Sequence, residues 1–164
     1  MYISLKNTIA GLVLLLSMGM ANASTIYIGD LTSYGDSGYA ANATVGTGLF
    51  SNTYTFSIPS LSDIGGGVTS LYFKLGAKTW DISNLSLSLS SGNTILSQGT
   101  SLEFLGLAQG NYSFTVAGNA IGTQGGKYFF NAVAAPVPEP STWAMMLGGL
   151  GLIGFMSYRR RQYL

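Results

Sequence analysis

The sequence predicts an all-β protein: a small antiparallel β-sandwich between an N-terminal signal peptide and a C-terminal single transmembrane helix. Three observations carry that prediction. Short segments of the middle alternate apolar and hydroxyl residues with a period of two, which places them on opposite faces of a strand. Turn-forming Gly, Pro, Asn and Ser recur between those segments. Long uninterrupted apolar runs occur only at the two ends of the chain.

Residues 1–23, MYISLKNTIAGLVLLLSMGMANA, read as a signal peptide. Lys6 supplies a positive start, and Ile9 to Met20 form an apolar core too short for a membrane span of about 20 residues. Ala21-Asn22-Ala23 then fits the small-x-small cleavage rule. Ala21, Ala23 and Ser24 accordingly define the cleavage site, with Ser24 as the mature start.

The body, residues 24–135, is expected to be the β-sandwich. Alternation is clearest in Leu85–Leu89, with leucines on one face and serines on the other. Thr53–Ile58 places Tyr54, Phe56 and Ile58 inward, and Asn111–Val116 repeats the pattern. Thr25–Ile28, Ser70–Leu75, Ser101–Leu105 and Lys127–Val133 are further strand candidates. Turns are expected at Pro59-Ser60, Gly65-Gly66-Gly67, Gly92-Asn93, Gln109-Gly110-Asn111 and Gly125-Gly126. Short, closely spaced strands without a sustained helical period argue for an antiparallel sandwich.

Composition narrows the chemistry. The chain has no Cys, so core packing and strand pairing must hold the body without disulfides. It has no His, which removes the Ser-His-Asp triad and the commonest metal ligand. The formal net charge of +1 hides an asymmetry, because Lys74, Lys78 and Lys127 face Asp30, Asp36, Asp63, Asp81, Glu103 and Glu139 in the middle. A nucleic-acid partner is not expected of so acidic a body. The carboxylates lack the spacing of a calcium loop or the context of a glycosidase pair. The chain is therefore read as non-catalytic, with no cofactor and no metal.

Residues 136–164 form a three-part tail. Pro136, Pro138 and Pro140 fix φ and remove backbone donors, which predicts an extended spacer that stays out of the sheet. Residues 142–158 are uncharged and mostly apolar, enough for about 25 Å of helix and read as the transmembrane segment. Arg159, Arg160 and Arg161 would hold the C-terminal end on the cytoplasmic side and leave the body outside. Gly149, Gly151 and Gly154 match a nucleotide-binding glycine pattern, but a proline spacer stands where that pattern needs a strand.

Pro138-Glu139-Pro140, a glycine-bearing hydrophobic helix and an arginine cluster, in that order, resemble the PEP-CTERM sorting domain. The resemblance implies an exosortase as partner, a membrane-embedded transpeptidase-like protease for which this chain is the substrate. Pro138, Glu139 and Pro140 would form the recognition motif, with the arginines setting orientation. It further implies a membrane-anchored precursor in a Gram-negative bacterium, cleaved near Pro-Glu-Pro and then placed at the cell surface or outside the cell, among exopolysaccharide and biofilm matrix. The body resembles the FxDxF family of PEP-CTERM proteins through Phe50-Ser-Asn52-Thr-Tyr54-Thr-Phe56, in which Asn52 and Tyr54 depart from the family's Asp and Phe. Phe50, Tyr54 and Phe56 are expected in the core. A carbohydrate-binding module for exopolysaccharide is the alternative reading, with Tyr34, Tyr39 and Trp80 as candidate sugar contacts, and a carbohydrate-active enzyme is the third and least favoured.

Overall fold

A computed structural model describes residues 22–138 and 140–161. The predicted signal peptide therefore lies almost wholly outside the described residues, as do Ala21 and Glu139. The elements in chain order are β1 (Asn22–Asp30), a 3₁₀ segment (Leu31–Ser37), β2 (Tyr39–Val45), β3 (Gly48–Ile58), β4 (Ser62–Ser70), β5 (Phe73–Leu75) and β6 (Lys78–Trp80). They continue with β7 (Ile82–Ser91), β8 (Thr94–Gly99), β9 (Ser101–Leu107), β10 (Gly110–Ala120), β11 (Gly126–Pro136) and the helix α1 (Pro140–Arg161).

Two sheets face each other. The first has the order β1-β3-β10-β7-β8, the second β2-β11-β4-β9, and β5 pairs with β6 in a separate hairpin. All pairings are antiparallel except β1 with β3, which run parallel at the sheet edge. The parallel pair arises because the chain leaves β1 through the 3₁₀ segment, crosses to the second sheet as β2, and only then returns as β3. Asp30 stabilises that exit by accepting from the Thr32 backbone N–H at 2.9 Å and from its hydroxyl at 2.7 Å, a capping arrangement.

Alternation in sequence becomes the core. In β3, Phe50, Asn52, Tyr54, Phe56 and Ile58 are all buried, while Ser51, Thr53, Thr55 and Ser57 between them are half-buried. Leu87, Leu89, Phe114 and Val116 of the first sheet meet Tyr128, Phe130, Ala132 and Ala134 of the second. The aromatic rings interlock across the gap: Tyr54 stacks on Phe130 with centroids 4.4 Å apart, Phe50 on Tyr128 at 5.7 Å, and Phe114 meets Phe130 edge-on at 5.6 Å. Such ring pairs add about 0.5–1.5 kcal/mol each beyond the apolar area they bury.

Four sequence-based expectations are corrected. Gly65-Gly66-Gly67 is not a turn but the centre of β4, paired on both sides with β11 and β9. A side chain at Gly66 would meet Phe114 Cε1 at 2.9 Å and Leu87 Cδ2 at 3.4 Å, so the glycine is there to admit the opposing aromatic. Ser70–Leu75 is not one strand: β4 ends at Ser70, and the chain turns outward into the β5–β6 hairpin. Pro136 does not begin a detached spacer, for it is the last residue of β11, opposite Ser62, and the Val137 N–H donates to Leu61 O at 2.9 Å. The sheet takes Pro136 because a terminal ladder position can lose its donor.

The fourth correction concerns the tail. Helix α1 is longer than the expected 142–158, but among the described residues no helix is long and apolar enough to cross a membrane. Its apolar centre, residues 144–156, spans about 20 Å against a hydrocarbon core of about 30 Å. Gly148, Gly149, Gly151 and Gly154 dilute even that stretch.

Candidate functional site

β11 orients the molecule. It begins at Gly126, beside Val45 and the β5–β6 hairpin, and ends at Pro136, beside Ser62. Eleven strand residues span about 35 Å, so the two ends of β11 mark two poles of the sandwich. The tail leaves from one pole, and the hairpin projects from the other.

The sorting tail begins where the sheet stops. Val137 makes the last backbone bond to the body, Pro138 is exposed and has no N–H with which to continue the ladder, and Pro140 opens α1. Proline suits a first helical position, where its missing donor costs nothing. Helix α1 ends at Arg161, and Arg159 stands exposed in its last turn, where a cationic side chain complements the negative end of the helix dipole. At the other terminus, Ala23 and Ser24 are exposed at the start of β1, opposite Ser51 and Asn52.

The candidate sugar contacts are not brought together. Tyr39 lies opposite Ala132 and packs inward against Tyr54 and Phe130, with centroids 6.2 and 6.3 Å away. Tyr34 caps it edge-on at 5.5 Å and donates its hydroxyl to Ile28 O. Burial raises the pKa of Tyr39, with the neighbouring Tyr34 and Tyr128 adding to the shift, as expected of a rim residue half inside the core. Trp80 sits about 16 Å away along β11, beside Lys127, whose Nζ lies 5.4 Å from its ring centroid. Phe73 packs on Trp80 at 5.4 Å.

Two features escaped sequence reasoning. One is a buried polar triad: Asn52 Nδ2 donates to the Tyr128 hydroxyl at 2.7 Å, and Tyr128 shares a 2.9 Å hydrogen bond with the Tyr54 hydroxyl. Desolvation pushes the Tyr54 phenol far above its ordinary range, and its bond to Tyr128 adds to that effect. Both departures from the Phe-x-Asp-x-Phe pattern thus take part in one satisfied network spanning the two sheets. Its inward alternation was legible, but its partner Tyr128 lies too far along the chain for spacing to reveal. The other is the hairpin pole, where Lys74, Lys78 and Lys127, all the lysines among the described residues, gather beside exposed Leu71, Tyr72, Phe73 and Leu75. A double clasp holds its base: Thr79 N–H donates to Thr123 Oγ1 and Thr123 N–H to Thr79 Oγ1, both at 2.9 Å.

These features define a class: an all-β sandwich carrying a helical tail fused directly to its last core strand. Residues 136–161 match the PEP-CTERM protein-sorting motif, so the chain carries that motif over the segment that leaves the sheet. The motif implies an exported protein sorted by an exosortase, with a membrane-anchored precursor before processing. The body lies outside the match. No curated protein matches the chain. Among solved structures, the chain is similar to the pre-peptidase C-terminal domain of a collagenase from Bacillus anthracis, at 14% identity, covering 70% of this chain and 99% of that one, with a TM-score of 0.43. It is also similar to PliG of Aeromonas hydrophila, a periplasmic inhibitor of g-type lysozyme, at 12% identity, 68% and 98% coverage and a TM-score of 0.42. At these values neither likeness bears on function.

Proposed function

We propose that this chain is a non-catalytic protein of the cell surface or extracellular matrix of a Gram-negative bacterium, delivered by its tail and associated with exopolysaccharide. The observation that carries this reading is the junction: the sorting motif begins at Pro136, the last residue of β11, so it overlaps the end of the sheet without a linker. A folded body held that close to the processing site is presented with its opposite pole outward. Its two sheets serve as a rigid carrier, and the recognition chemistry for export resides in Pro138, Glu139 and Pro140.

A carbohydrate-binding module is the second reading, favoured by Trp80 alone of the three candidate aromatics, since it pairs a partly exposed indole with Phe73 and Lys127. Tyr34 and Tyr39 do not extend that platform.

The test acts on the motif. In the native host, Glu139→Ala should leave the protein at full length with its tail intact, whereas the unaltered chain should yield a C-terminus trimmed near Pro140. Mass spectrometry of surface material reads the difference. Recovery of an intact Leu164 from surface material of the unaltered protein would refute processing.

A further inference from the structure

We infer that the β5–β6 hairpin of one copy docks on the outer face of β4 in a second copy, so that the body self-assembles head to tail. The hairpin is an exposed apolar surface: Tyr72 is 66% exposed, Phe73 49% and Leu75 63%. An apolar tip of this kind on a protein outside the cell needs a cover. Its own sheet cannot supply one, because the Thr79–Thr123 clasp and the Leu71 N–H to Lys127 O bond hold the hairpin at the end of β4, away from that strand's face.

Charge complementarity selects the occupant. Lys74 and Lys78 flank the apolar tip and are both exposed. Asp81 lies at the base of the hairpin and offsets one of the three lysines there, so the pole keeps an excess of positive charge, while Asp63 sits opposite Ala135 near the tail pole and Glu103 opposite Gly65 in the middle of the second sheet. Between them runs a groove of about 450 Å³ over β4, with Val133 and Ala135 on one side and Ser101 and Glu103 on the other. A second copy brings an apolar tip with two ammonium groups to a groove of mixed lining, in which Val133 and Ala135 offer apolar surface, Glu103 offers a carboxylate, and Asp63 offers a second one that also accepts from the Gly106 N–H. The two surfaces differ and lie at different places on one molecule, so each copy has a free hairpin when its groove is filled, and the inferred contact is the heterologous one that continues as an open chain. This contact is independent of the sorting reading, since neither surface involves the tail.

The segment 24–138 is suited to the test, because among the described residues every buried hydrophobic side chain lies between Ile28 and Ala134. Light scattering behind size exclusion, and sedimentation velocity across protein and salt concentration, should give a mass that climbs past the dimer without a plateau and falls as salt rises. Variant one, Lys74→Glu with Lys78→Glu, should require at least ten-fold more protein to associate. Variant two, Ser101→Lys with Glu103→Lys, should do the same. Mixing the two variants restores opposite charge at both contacts, and association should return. Matched thermal unfolding curves establish that each variant is folded. A native segment that stays monomeric throughout would overturn the inference, as would charge-reversed variants that associate normally or a mixture that does not recover. Salt-sensitive retention on alginate through the same lysines, without self-association, would also overturn it and assign the pole to an anionic polysaccharide.

Discussion

At the scale of single residues, the fold turns on where a side chain is absent. Gly66 faces Phe114, and its missing Cβ leaves the space that the ring occupies. Gly66→Ala should destabilise the body by about 1–3 kcal/mol through overpacking, read as a lower urea midpoint with an unchanged slope. Gly67 is the control. The one tight contact of its added Cβ would be Asn131 Oδ1, the far end of an exposed side chain that can swing away, with Asn131 Cγ and Thr100 O at ordinary distance, so Gly67→Ala should change stability by less than about 0.5 kcal/mol. Equal effects at both positions would sink the argument. The glycine triplet was misread as a turn because its chemistry alone permits either role. Only Phe114, nearly fifty residues on, decides that the triplet is a strand. Asn52 and Tyr54 make the same point, since their polar groups are tolerable inside only because Tyr128 meets them.

At the scale of elements, amphipathic strands were the most legible part. β3, β7 and β10 announce themselves by strict alternation, and their inward residues are the ones the structure buries, apart from Leu85 and Tyr112, which pack against the core only half-buried. The β5–β6 hairpin was hidden because its apolar residues, Leu71 to Leu75, look like the continuation of a core strand while in fact standing in solvent. What fixes it is the contact with the loop after β10. Thr123→Val removes the acceptor for the Thr79 N–H. Hydrogen exchange at the Thr79 amide should then accelerate by ten-fold or more, while global stability shifts by less than about 0.5 kcal/mol. An unchanged exchange rate at Thr79 would mean that the clasp does not hold the hairpin. Helix α1 shows the opposite case: its existence was clear from composition, but its glycines make it too weakly apolar for the span expected of it.

At the scale of the whole molecule, body and tail are energetically separate. The described side chains of α1 are exposed, and none of them belongs to the core. Removing residues 139–164 should therefore leave the thermal unfolding midpoint of the body unmoved within about 2 °C, as measured by calorimetry against the full chain in detergent. A larger fall would reveal packing between helix and sandwich. The separation agrees with a tail that acts as an address: a segment due for processing can be lost without cost to the body it delivers.

Local chemistry was enough to determine the all-β class, the inward faces of the principal strands and the three-part order of the C-terminal tail, whose resemblance to a known family then supplied the sorting role. Each of these depends on neighbours in the chain, where period, proline placement and charge order are read directly. Tertiary structure alone decided that the glycine triplet is a strand, that Asn52, Tyr54 and Tyr128 form one network, and that three scattered lysines share a pole with an exposed aromatic hairpin. Those outcomes depend on residues brought together across two sheets, and the geometry of that approach is set by packing, not by any spacing along the chain.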